Sequence, residues 1–370
     1  MTAVSENIPV VDLKSINDTH REAINSAIQR VIDSGWFILG KEVTRFEENF
    51  ARFSGNQYCS SVANGTDALE IALRALDIKP GDEVLSVSHT AVATISAIER
   101  VGAIPVFVDI EPKTRGMDPV KLEKSISSKT KCIIPVHIYG QPCEIEEICN
   151  IAKKHGIPVI EDCAQSHGAM FKDKIVGTFG EIAAYSFYPT KNLGALGDGG
   201  AITTNSKELF DKASLLKQYG WRERYISEIV GLNTRLDEIQ AAILSEKLPF
   251  LKEENSTRLK IAQKFINSIK SDKIKTPYLF KDRTHVMHLF VVEAEDREDF
   301  RSYMHSNGVQ TALHYPAPVH TQPAYLNRIK APQGMQETEK LYKHLVSLPM
   351  FPTLTSDQIE KVSNVLKGYN

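Results

Sequence analysis

The 370-residue chain has few cysteines, and none of them stands in a CxxC pattern. The five are odd in number and scattered, which excludes a disulfide framework and a zinc motif and favours a reducing compartment. No run of about 18 apolar residues is present to span a membrane. The N-terminus also lacks the basic and apolar regions of a signal peptide. We therefore expect a cytoplasmic protein with no membrane partner and no metal site.

The chain also lacks an excess of charge of either sign, since 44 Lys and Arg face 46 Asp and Glu. This balance gives no electrostatic reason to expect nucleic acid as a partner. Hydrophobic residues make up 42% and charged residues 24%, an ordinary globular composition. At about 150 residues per domain, the length predicts two domains.

Short β-branched runs alternate with helical patterns through the first half of the chain. The predicted strands are 84–87, 104–108, 132–136, 158–161, 183–187 and 201–204, and the predicted helices between them are 91–101, 119–127 and 145–155. Strands that alternate with helices of this length form parallel βαβ crossovers. The sequence thus predicts the α/β class, with a large parallel-rich sheet.

The pattern changes near Leu232, where an apolar face at helical spacing begins. Pro249 should bend or break this helix. The elements predicted beyond it are helices at 252–270, 296–307, 336–345 and 356–366 and a strand near 289–293. We therefore predict a large domain over residues 1–250, with an N-terminal arm, and a smaller α/β domain over residues 251–370.

Ligands of an open parallel sheet bind beyond the carboxyl ends of its strands. The loop NGTDAL opens a helix at such an end; Gly65 permits close approach of the backbone, and Thr66 offers a hydroxyl. Free N–H groups at the helix start suit a phosphate. A simple N-cap by Thr66 or Asp67 is the alternative interpretation.

Two ionisable residues also end predicted strands. Asp162 ends the apolar run VIED, where a carboxylate needs a cation or hydrogen bonds to offset its desolvation; a structural salt bridge is the alternative. Lys191 precedes the glycine-rich run GALGDGG. Desolvation there would lower its pKa towards a neutral nucleophilic amine, whereas most lysines are solvated surface groups. The dinucleotide fingerprint GxGxxG does not follow the first strand, which argues against a dehydrogenase.

Together, the phosphate loop, Asp162, Gln165 and Lys191 fit one ligand, pyridoxal phosphate. The lysine amine forms a Schiff base with this cofactor. The aspartate keeps the pyridine nitrogen protonated, so the ring serves as an electron sink for a carbanion.

At these residues the chain resembles the DegT/DnrJ/EryC1/StrS sugar aminotransferases, which are fold type I pyridoxal-phosphate enzymes. The resemblance runs through nearly the whole chain. Its motifs are SGWFILG, NGTDAL, VFVDI, PVHIYGQP, EDCAQSHGA, SFYPTKNLGALGDGGA, GLNTRLDEIQAAIL, HYPAPVHTQPAY and SLPMFP. It implies a homodimer whose active sites are completed by residues from the partner subunit.

The resemblance assigns most of the cofactor contacts. Lys191 is the expected Schiff-base and proton-transfer residue, Asp162 pairs with the ring nitrogen, and the Gln165 amide lies against one ring face. The residues implied to bind phosphate are Gly65, Thr66 and Ser186, with Asn233 reaching the phosphate in the neighbouring subunit. A helix N-cap before Thr234 is the alternative role for Asn233.

The resemblance assigns no residue directly to the other ring face, because Ala91 stands where family members often carry an aromatic residue. His89 is a candidate to cover that face. His320 is expected to face the substrate, with a packed loop position as its alternative. The candidates for diphosphate contacts are Tyr219, Arg222, Arg224 and Tyr225, with solvated loop charges as the alternative.

Within the family, the run around Lys191 is most similar to enzymes that act on the 3-keto group of dTDP-linked 6-deoxyhexoses. The implied amino donor is L-glutamate, and the product is a dTDP-3-amino-3,6-dideoxyhexose for O-antigen, S-layer or antibiotic sugars. A 4-keto aminotransferase is the main alternative. A sugar 3-dehydratase is disfavoured, because those enzymes carry His in place of the lysine. A non-catalytic regulator is disfavoured by the joint presence of Lys191, Asp162 and Gln165.

Overall fold

The computed structural model describes residues 7–370 as thirteen α-helices, fourteen short strands and three 3₁₀ turns. The helices are α1 Leu13–Asp18, α2 Arg21–Ser34, α3 Lys41–Ser54, α4 Gly65–Ala75, α5 Val92–Arg100, α6 Pro119–Ser125, α7 Ile145–His155, α8 Lys207–Leu216, α9 Glu238–Lys247, α10 Leu251–Ser268, α11 Arg297–Ser306, α12 Gln336–Tyr342 and α13 Ser356–Gly368. The strands are β1 Tyr58–Val62, β2 Glu83–Val87, β3 Ile104–Val108, β4 Thr130–Ile134, β5 Ile160–Asp162, β6 Met170–Phe171, β7 Lys174–Ile175, β8 Ile182–Ser186, β9 Gly200–Thr204, β10 Trp221–Glu223, β11 Ile226–Ser227, β12 Ile274–Lys275, β13 Phe290–Ala294 and β14 Leu345–Leu348.

Seven strands form the main sheet, in the order β1-β9-β8-β5-β4-β2-β3. Two ladders, β1-β9-β8-β5 and β4-β2-β3, are joined by parallel bridges from Ile133 to Val159 and from Val136 to Asp162. Of these seven strands, β9 alone runs antiparallel to its neighbours. This arrangement confirms the predicted α/β class with a parallel-rich sheet, and it places the ends of β4, β5 and β8 side by side.

The predicted elements of the first half agree closely with the structure. The strand at 104–108 and the helix at 145–155 have the predicted bounds, and the other predicted strands differ by at most two residues at either end. The strands β2 and β3 are largely apolar and buried, as expected where helices cover both faces of a sheet. Hydrophobic pattern therefore determines this region strongly.

The prediction fails in two places beyond it. Leu232 and Leu236 precede α9, which begins only at Glu238, and Asn233 is paired with Gln218 in an extended bridge. The apolar spacing that predicted one continuous helix thus spans an extended segment and a helix. The helix predicted to Leu345 ends at Tyr342, and β14 follows it, since short apolar runs do not distinguish the two states.

A second core lies in the C-terminal part of the chain. The antiparallel sheet β12-β13-β14 packs with α10, α11 and α13 around Phe265, Phe290 and Phe300. Ile8 and Ile16, from the N-terminal segment, are buried in this same core, and the backbone of Ile8 is bridged to Val309. The domain division at residue 250 stays a prediction, but the N-terminal segment packs with the second core. Within residues 7–370, no helix has the length and apolar character needed to cross a membrane.

The start of α3 is capped by a side chain from far along the sequence. Glu238 is 3% exposed. Its carboxylate accepts hydrogen bonds from the backbone N–H groups of Gly40, Glu42 and Val43, at 2.7, 3.0 and 2.9 Å. These are N–H groups that a helix start leaves without intrahelical acceptors. The first turn of α9 thus anchors α3.

We predict that Glu238→Ala lowers the free energy of unfolding by about 2–4 kcal/mol, because three backbone donors lose their acceptor. Urea denaturation measures this change. The control is Glu246→Ala, which removes a partly exposed partner of Arg30 and Arg45 and should cost less than about 1 kcal/mol. Equal losses in the two variants would contradict the capping role.

Candidate active site

A cavity of about 430 Å³ opens beyond the carboxyl ends of β5 and β8, beside the start of α4. It brings together six residues that the sequence had singled out: Gly65, Thr66, Asp162, Gln165, Ser186 and Lys191. They come from three separate segments of the chain. The topology of the sheet therefore assembles the predicted site.

Asp162 is a buried carboxylate held by neutral donors. It is 5% exposed; Oδ2 accepts from Thr94 Oγ1 at 2.9 Å, and Oδ1 accepts from the Ala164 N–H at 3.1 Å. Burial raises the pKa of Asp162, although these hydrogen bonds and the charge of Lys191 oppose the rise. Within residues 7–370 it has no salt bridge, so the alternative of a structural ion pair is wrong. The carboxylate is placed to receive a cation from the cavity.

Lys191 follows β8 and is partly exposed to the cavity. Its backbone N–H donates to Tyr188 O at 2.8 Å, which closes a turn at the strand end. Burial lowers the pKa of Lys191 to about 8, with the charge of Asp162 acting in the opposite direction. A neutral amine is thus more accessible here than at a surface lysine, as the sequence predicted.

The start of α4 forms an anion cradle. Asn64 is its N-cap, with Oδ1 accepting from the Asp67 N–H at 2.9 Å, so a cap at Thr66 or Asp67 is wrong. This cap leaves the N–H groups of Gly65 and Thr66 for another acceptor. A Cβ at Gly65 would come within 2.7 Å of Ser186 Cβ, so only glycine lets the helix start approach β8 this closely. Backbone donors at a helix start are suited to a phosphate.

Gln165 forms a fixed wall of the same cavity. Its Oε1 accepts from the Tyr139 N–H at 2.8 Å, and its Nε2 donates to the Tyr315 hydroxyl at 3.2 Å. Both ends of the amide are thus held by the protein. The side chain is buried, and its fixed plane suits contact with a flat ring.

His89 does not reach this cavity. It is fully buried, and its ring makes edge contacts with Tyr139 and Tyr342, while its neighbours Thr90 and Ala91 line the cavity wall. Burial lowers the pKa of His89 to about 3. The structure therefore places small side chains, and not His89, at the wall where the sequence left a ring face uncovered.

Asn233 and His320 also lie away from the cavity lining. Asn233 is exposed in an extended segment five residues before α9, so the alternative of a helix N-cap is wrong. His320 packs in a 3₁₀ turn: its Nδ1 is 2.7 Å from Ser88 Oγ, and its Nε2 is 3.3 Å from Glu339 Oε1. These contacts match the packed-loop alternative for His320.

The four diphosphate candidates lie on and beside the β10–β11 hairpin. Arg222 pairs with Glu228 at 2.9 Å, and the Arg224 guanidinium lies 4.9 Å from the Tyr225 ring centroid. Tyr219 contacts Trp221, with ring centroids 4.9 Å apart. None of the four lines the cavity, so their substrate role stays a prediction.

Sequence reasoning missed three residues of the site: Thr94, Tyr188 and Tyr315. Thr94 orients Asp162, Tyr315 holds Gln165, and Tyr188 lines the cavity beside Lys191. Thr94 and Tyr315 belong to segments far from Asp162 and Gln165 in sequence. Only Tyr188 could have been identified from its position in the sequence, because it lies three residues before Lys191 in the motif SFYPTKNLGALGDGGA.

His137, Glu161 and Cys163 form a buried cluster behind Asp162, with potential ligand atoms within 4.8 Å of one another. The Glu161 carboxylate already accepts from the N–H groups of Gly177, Phe179 and Gly180 and lies 3.1 Å from His137 Nε2. His137 Nδ1 accepts from the Cys143 N–H. The acceptor atoms of Glu161 and His137 are thus already used within the protein, so these two residues brace the strand end.

The donor set fits pyridoxal phosphate. The cavity offers an anion for the ring nitrogen at Asp162, an amine for the aldehyde at Lys191, and a cradle without a Cβ for the phosphate at Gly65. The raised pKa of Asp162 and the lowered pKa of Lys191 show that both charges are destabilised by burial. A ligand that carries a cation and a carbonyl group at opposite ends would relieve both.

Comparison with known proteins gives the same assignment. The profile of the DegT/DnrJ/EryC1/StrS aminotransferase family matches residues 18–367. The dTDP-3-amino-3,6-dideoxy-alpha-D-galactopyranose transaminase of Aneurinibacillus thermoaerophilus is 46% identical, over 98% of this chain and 99% of its own length. The UDP-2-acetamido-2-deoxy-3-oxo-D-glucuronate aminotransferase of Pseudomonas aeruginosa is 42% identical, over 97% and 99%.

A solved structure is similar throughout. The crystal structure of S. venezuelae DesV in complex with a ketimine intermediate superposes with a TM-score of 0.95 at 38% sequence identity, covering 98% of each chain. The similarity covers both the main sheet and the C-terminal core.

We predict that Lys191 in the cofactor-free protein reacts with an amine-acylating reagent at a half-maximal rate near pH 8, because its pKa is lowered to about 8. Mass spectrometry of peptides acylated between pH 6 and 11 measures the rate. Lys172, an exposed lysine whose pKa is raised by Glu146, is the internal control and should react only at higher pH. Asp162→Asn should move the Lys191 midpoint lower still, since the Asp162 charge holds it up. A Lys191 midpoint equal to that of Lys172 would contradict this description of the site.

Proposed function

The chain belongs to the DegT/DnrJ/EryC1/StrS aminotransferase family, and from this premise we propose that it moves the amino group of L-glutamate to the C3 keto group of a dTDP-3-keto-6-deoxyhexose. It is a pyridoxal-phosphate-dependent sugar aminotransferase. The observation that carries the proposal is the placement of Lys191, Asp162 and the α4 cradle around one cavity. The Aneurinibacillus relative, named for a dTDP-3-amino sugar, supports the choice of substrate.

Each residue of the site has a separate role in the proposed reaction. Pyridoxal phosphate, when bound, supplies an electron sink for the carbanion formed at the donor carbon. Asp162, oriented by Thr94, would hold the proton on the ring nitrogen, and the Gly65 and Thr66 N–H groups with Ser186 would hold the phosphate. Lys191 would carry protons at Nζ, since its lowered pKa makes both protonation states accessible near neutral pH. Gln165, fixed at both ends of its amide, would limit movement of the ring.

The nucleotide and the position of the keto group are the finer parts of the proposal. The Pseudomonas relative is named for a UDP-linked 3-oxo sugar, which supports C3 chemistry but a different base. A 4-keto nucleotide sugar is the alternative substrate. The 3-dehydratase reading conflicts with Lys191, because the similar dehydratases carry His at that position. The proposed product is a precursor of O-antigen or lipopolysaccharide sugars, made in the cytoplasm.

We also propose that the enzyme works as a homodimer. Large apolar side chains are exposed in the segment after α2 and around the hairpin: Trp36, Phe37, Ile38, Tyr225, Ile226 and Val230. The first region is paired with the end of the segment that follows the hairpin, because Ile38 is bridged to Asp237 and the Phe37 carbonyl accepts from the Glu238 N–H. Large apolar side chains exposed in groups of this kind support a protein interface. Asn233 lies in the same stretch, so a partner seated there would meet it.

We predict that the purified enzyme shows the visible absorbance of a lysine-bound cofactor, which L-glutamate bleaches, and that dTDP-3-keto-6-deoxyhexose restores it. Lys191→Ala should show no such band and no turnover. The measurement is a panel of dTDP- and UDP-linked 3-keto and 4-keto sugars, with the amino position of each product read by NMR. Bleaching by glutamate with amination of the 4-keto sugar only would overturn the C3 assignment. A missing band after reconstitution would contradict the role of Lys191.

A second prediction tests the shared active site. Mixed dimers of Asn233→Ala and Lys191→Ala chains should recover about a quarter of the wild-type activity, because half the dimers are mixed and each has one intact site. The assay uses limiting cofactor, where Asn233→Ala alone should be weak. As a control, mixing Lys191→Ala with Asp162→Ala should recover nothing, because both residues belong to the same subunit's site. If the first mixture gains no activity, Asn233 does not act across subunits.

A further inference from the structure

A second cavity, of about 290 Å³, adjoins the cofactor cavity on the side of the C-terminal core. It shares Tyr188 and Lys191 with the first cavity, and its far wall includes His288 and His314. Its volume lies just below the range of about 300–1,000 Å³ for ligand sites, which suits a single ring more than a whole nucleotide. Because Lys191 lines both cavities, a group that reacts there can extend to this wall.

A chain of hydrogen bonds determines how the His288 ring is protonated. Asn192 Nδ2 donates to two acceptors, Val286 O at 2.9 Å and Asn255 Oδ1 at 2.8 Å. A main-chain carbonyl can only accept, so the orientation of the Asn192 amide is fixed. The orientation of Asn255 is fixed in the same way, because its Nδ2 donates to His167 O at 2.9 Å.

The amide oxygen of Asn192 consequently faces His288. It lies 3.2 Å from His288 Nδ1, which must carry the proton and donate it. The lone pair of the neutral ring is then on Nε2. In the part of the chain from residue 7 to residue 370, no side chain or backbone group is hydrogen-bonded to Nε2. His288 is buried and lines the second cavity, so Nε2 is an acceptor without a protein donor.

The surroundings keep this ring neutral. Burial lowers the pKa of His288 well below its usual range, and the nearby cations Lys191 and Arg258 lower it further. A neutral acceptor repels a carboxylate and binds a group that carries O–H or N–H. L-glutamate presents two carboxylates, and its one group with N–H is the amine that it transfers, whereas a hexose presents hydroxyl groups.

We propose that His288 Nε2 accepts a hydrogen bond from a hydroxyl group of the sugar substrate and so helps to select the keto sugar in the second half-reaction. The inference rests on the proposed function, since it concerns the substrate of the same site. Asn192, the residue directly after Lys191, positions the ring. Recognition of the sugar thus involves both the segment that bears Lys191 and the C-terminal core.

Two substitutions distinguish the roles of the two ring nitrogens of His288. In His288→Asn the side-chain amide replaces Nδ1 and can still donate to Asn192, but the acceptor in the cavity is lost. In His288→Gln the longer amide reaches the position of Nε2 and can supply an acceptor there. The two variants are of similar polarity, so they serve as matched controls for each other.

We expect His288→Asn to lower kcat/KM for the keto sugar by roughly ten- to a hundredfold, because a buried hydroxyl loses its acceptor. Bleaching of the cofactor band by L-glutamate should change by less than about twofold, because that half-reaction brings no hydroxyl to the site. His288→Gln should regain part of the lost sugar reactivity. Stopped-flow absorbance measures each half-reaction separately.

The outcomes are distinct. If His288→Asn slows both half-reactions equally, His288 acts on Lys191 and not on the sugar, and the proposal is overturned; an unchanged sugar half-reaction overturns it too. The comparison uses whichever keto sugar the wild-type enzyme aminates, so a failure of the C3 assignment is seen first, in the wild type. Nitrogen-15 NMR of the cofactor-free protein gives an independent readout: the His288 ring should be the neutral Nδ1–H form, and a ring protonated at Nε2 would contradict the hydrogen-bond chain.

Discussion

The site depends on the cost of burying charge. Asp162 and Lys191 line one cavity, where burial destabilises the anion of the first and the cation of the second. Each charge partly stabilises the other, but the sheet holds them at two different strand ends, and no salt bridge between them forms in residues 7–370. The most favourable occupant is therefore one that brings a proton-bearing nitrogen to the aspartate and a carbonyl to the amine. The same destabilisation of buried charge then favours both the binding of the ligand and its reaction with the Lys191 amine.

The fold maintains this arrangement by bracing the end of β5. The Asp162 backbone is bonded on both sides, to Pro135 O and from the His137 N–H. Behind it, Glu161 is kept anionic: burial raises its pKa, but the hydrogen bonds from His137 and from the Gly177 and Gly180 N–H groups outweigh this effect. Successive residues of a strand point to opposite faces. The acidic pair thus divides into Glu161, which fastens the loop after β7, and Asp162, which faces the ligand.

Much of this was predictable from sequence, because strand ends and glycine requirements leave local signals. Asp162 and Lys191 each follow a predicted strand and Gly65 opens a predicted helix, and parallel topology brings such ends together. Thr94, Tyr315 and His288 left no such signal, since their roles depend on contacts between distant segments. His89 misled for the same reason: its place in the motif suggested the ring face, but aromatic neighbours take it into the core. Periodicity failed at Leu232, where an extended segment has apolar residues at helical spacing.

That extended segment is fastened to the start of α4. Thr234 Oγ1 accepts from the Ala63 N–H at 3.0 Å and donates to Asp67 Oδ2 at 2.7 Å, so it is fastened to the loop that precedes α4 and to the first turn of that helix. Asp67 is also paired with Arg100, at the rim of the cofactor cavity. Asn233 directly precedes Thr234, and it is exposed. In the proposed homodimer, Asn233 would reach the phosphate in the partner's site. Its position would be held by the start of α4, which would bind the phosphate of its own subunit, so the two sites would be rigidly connected.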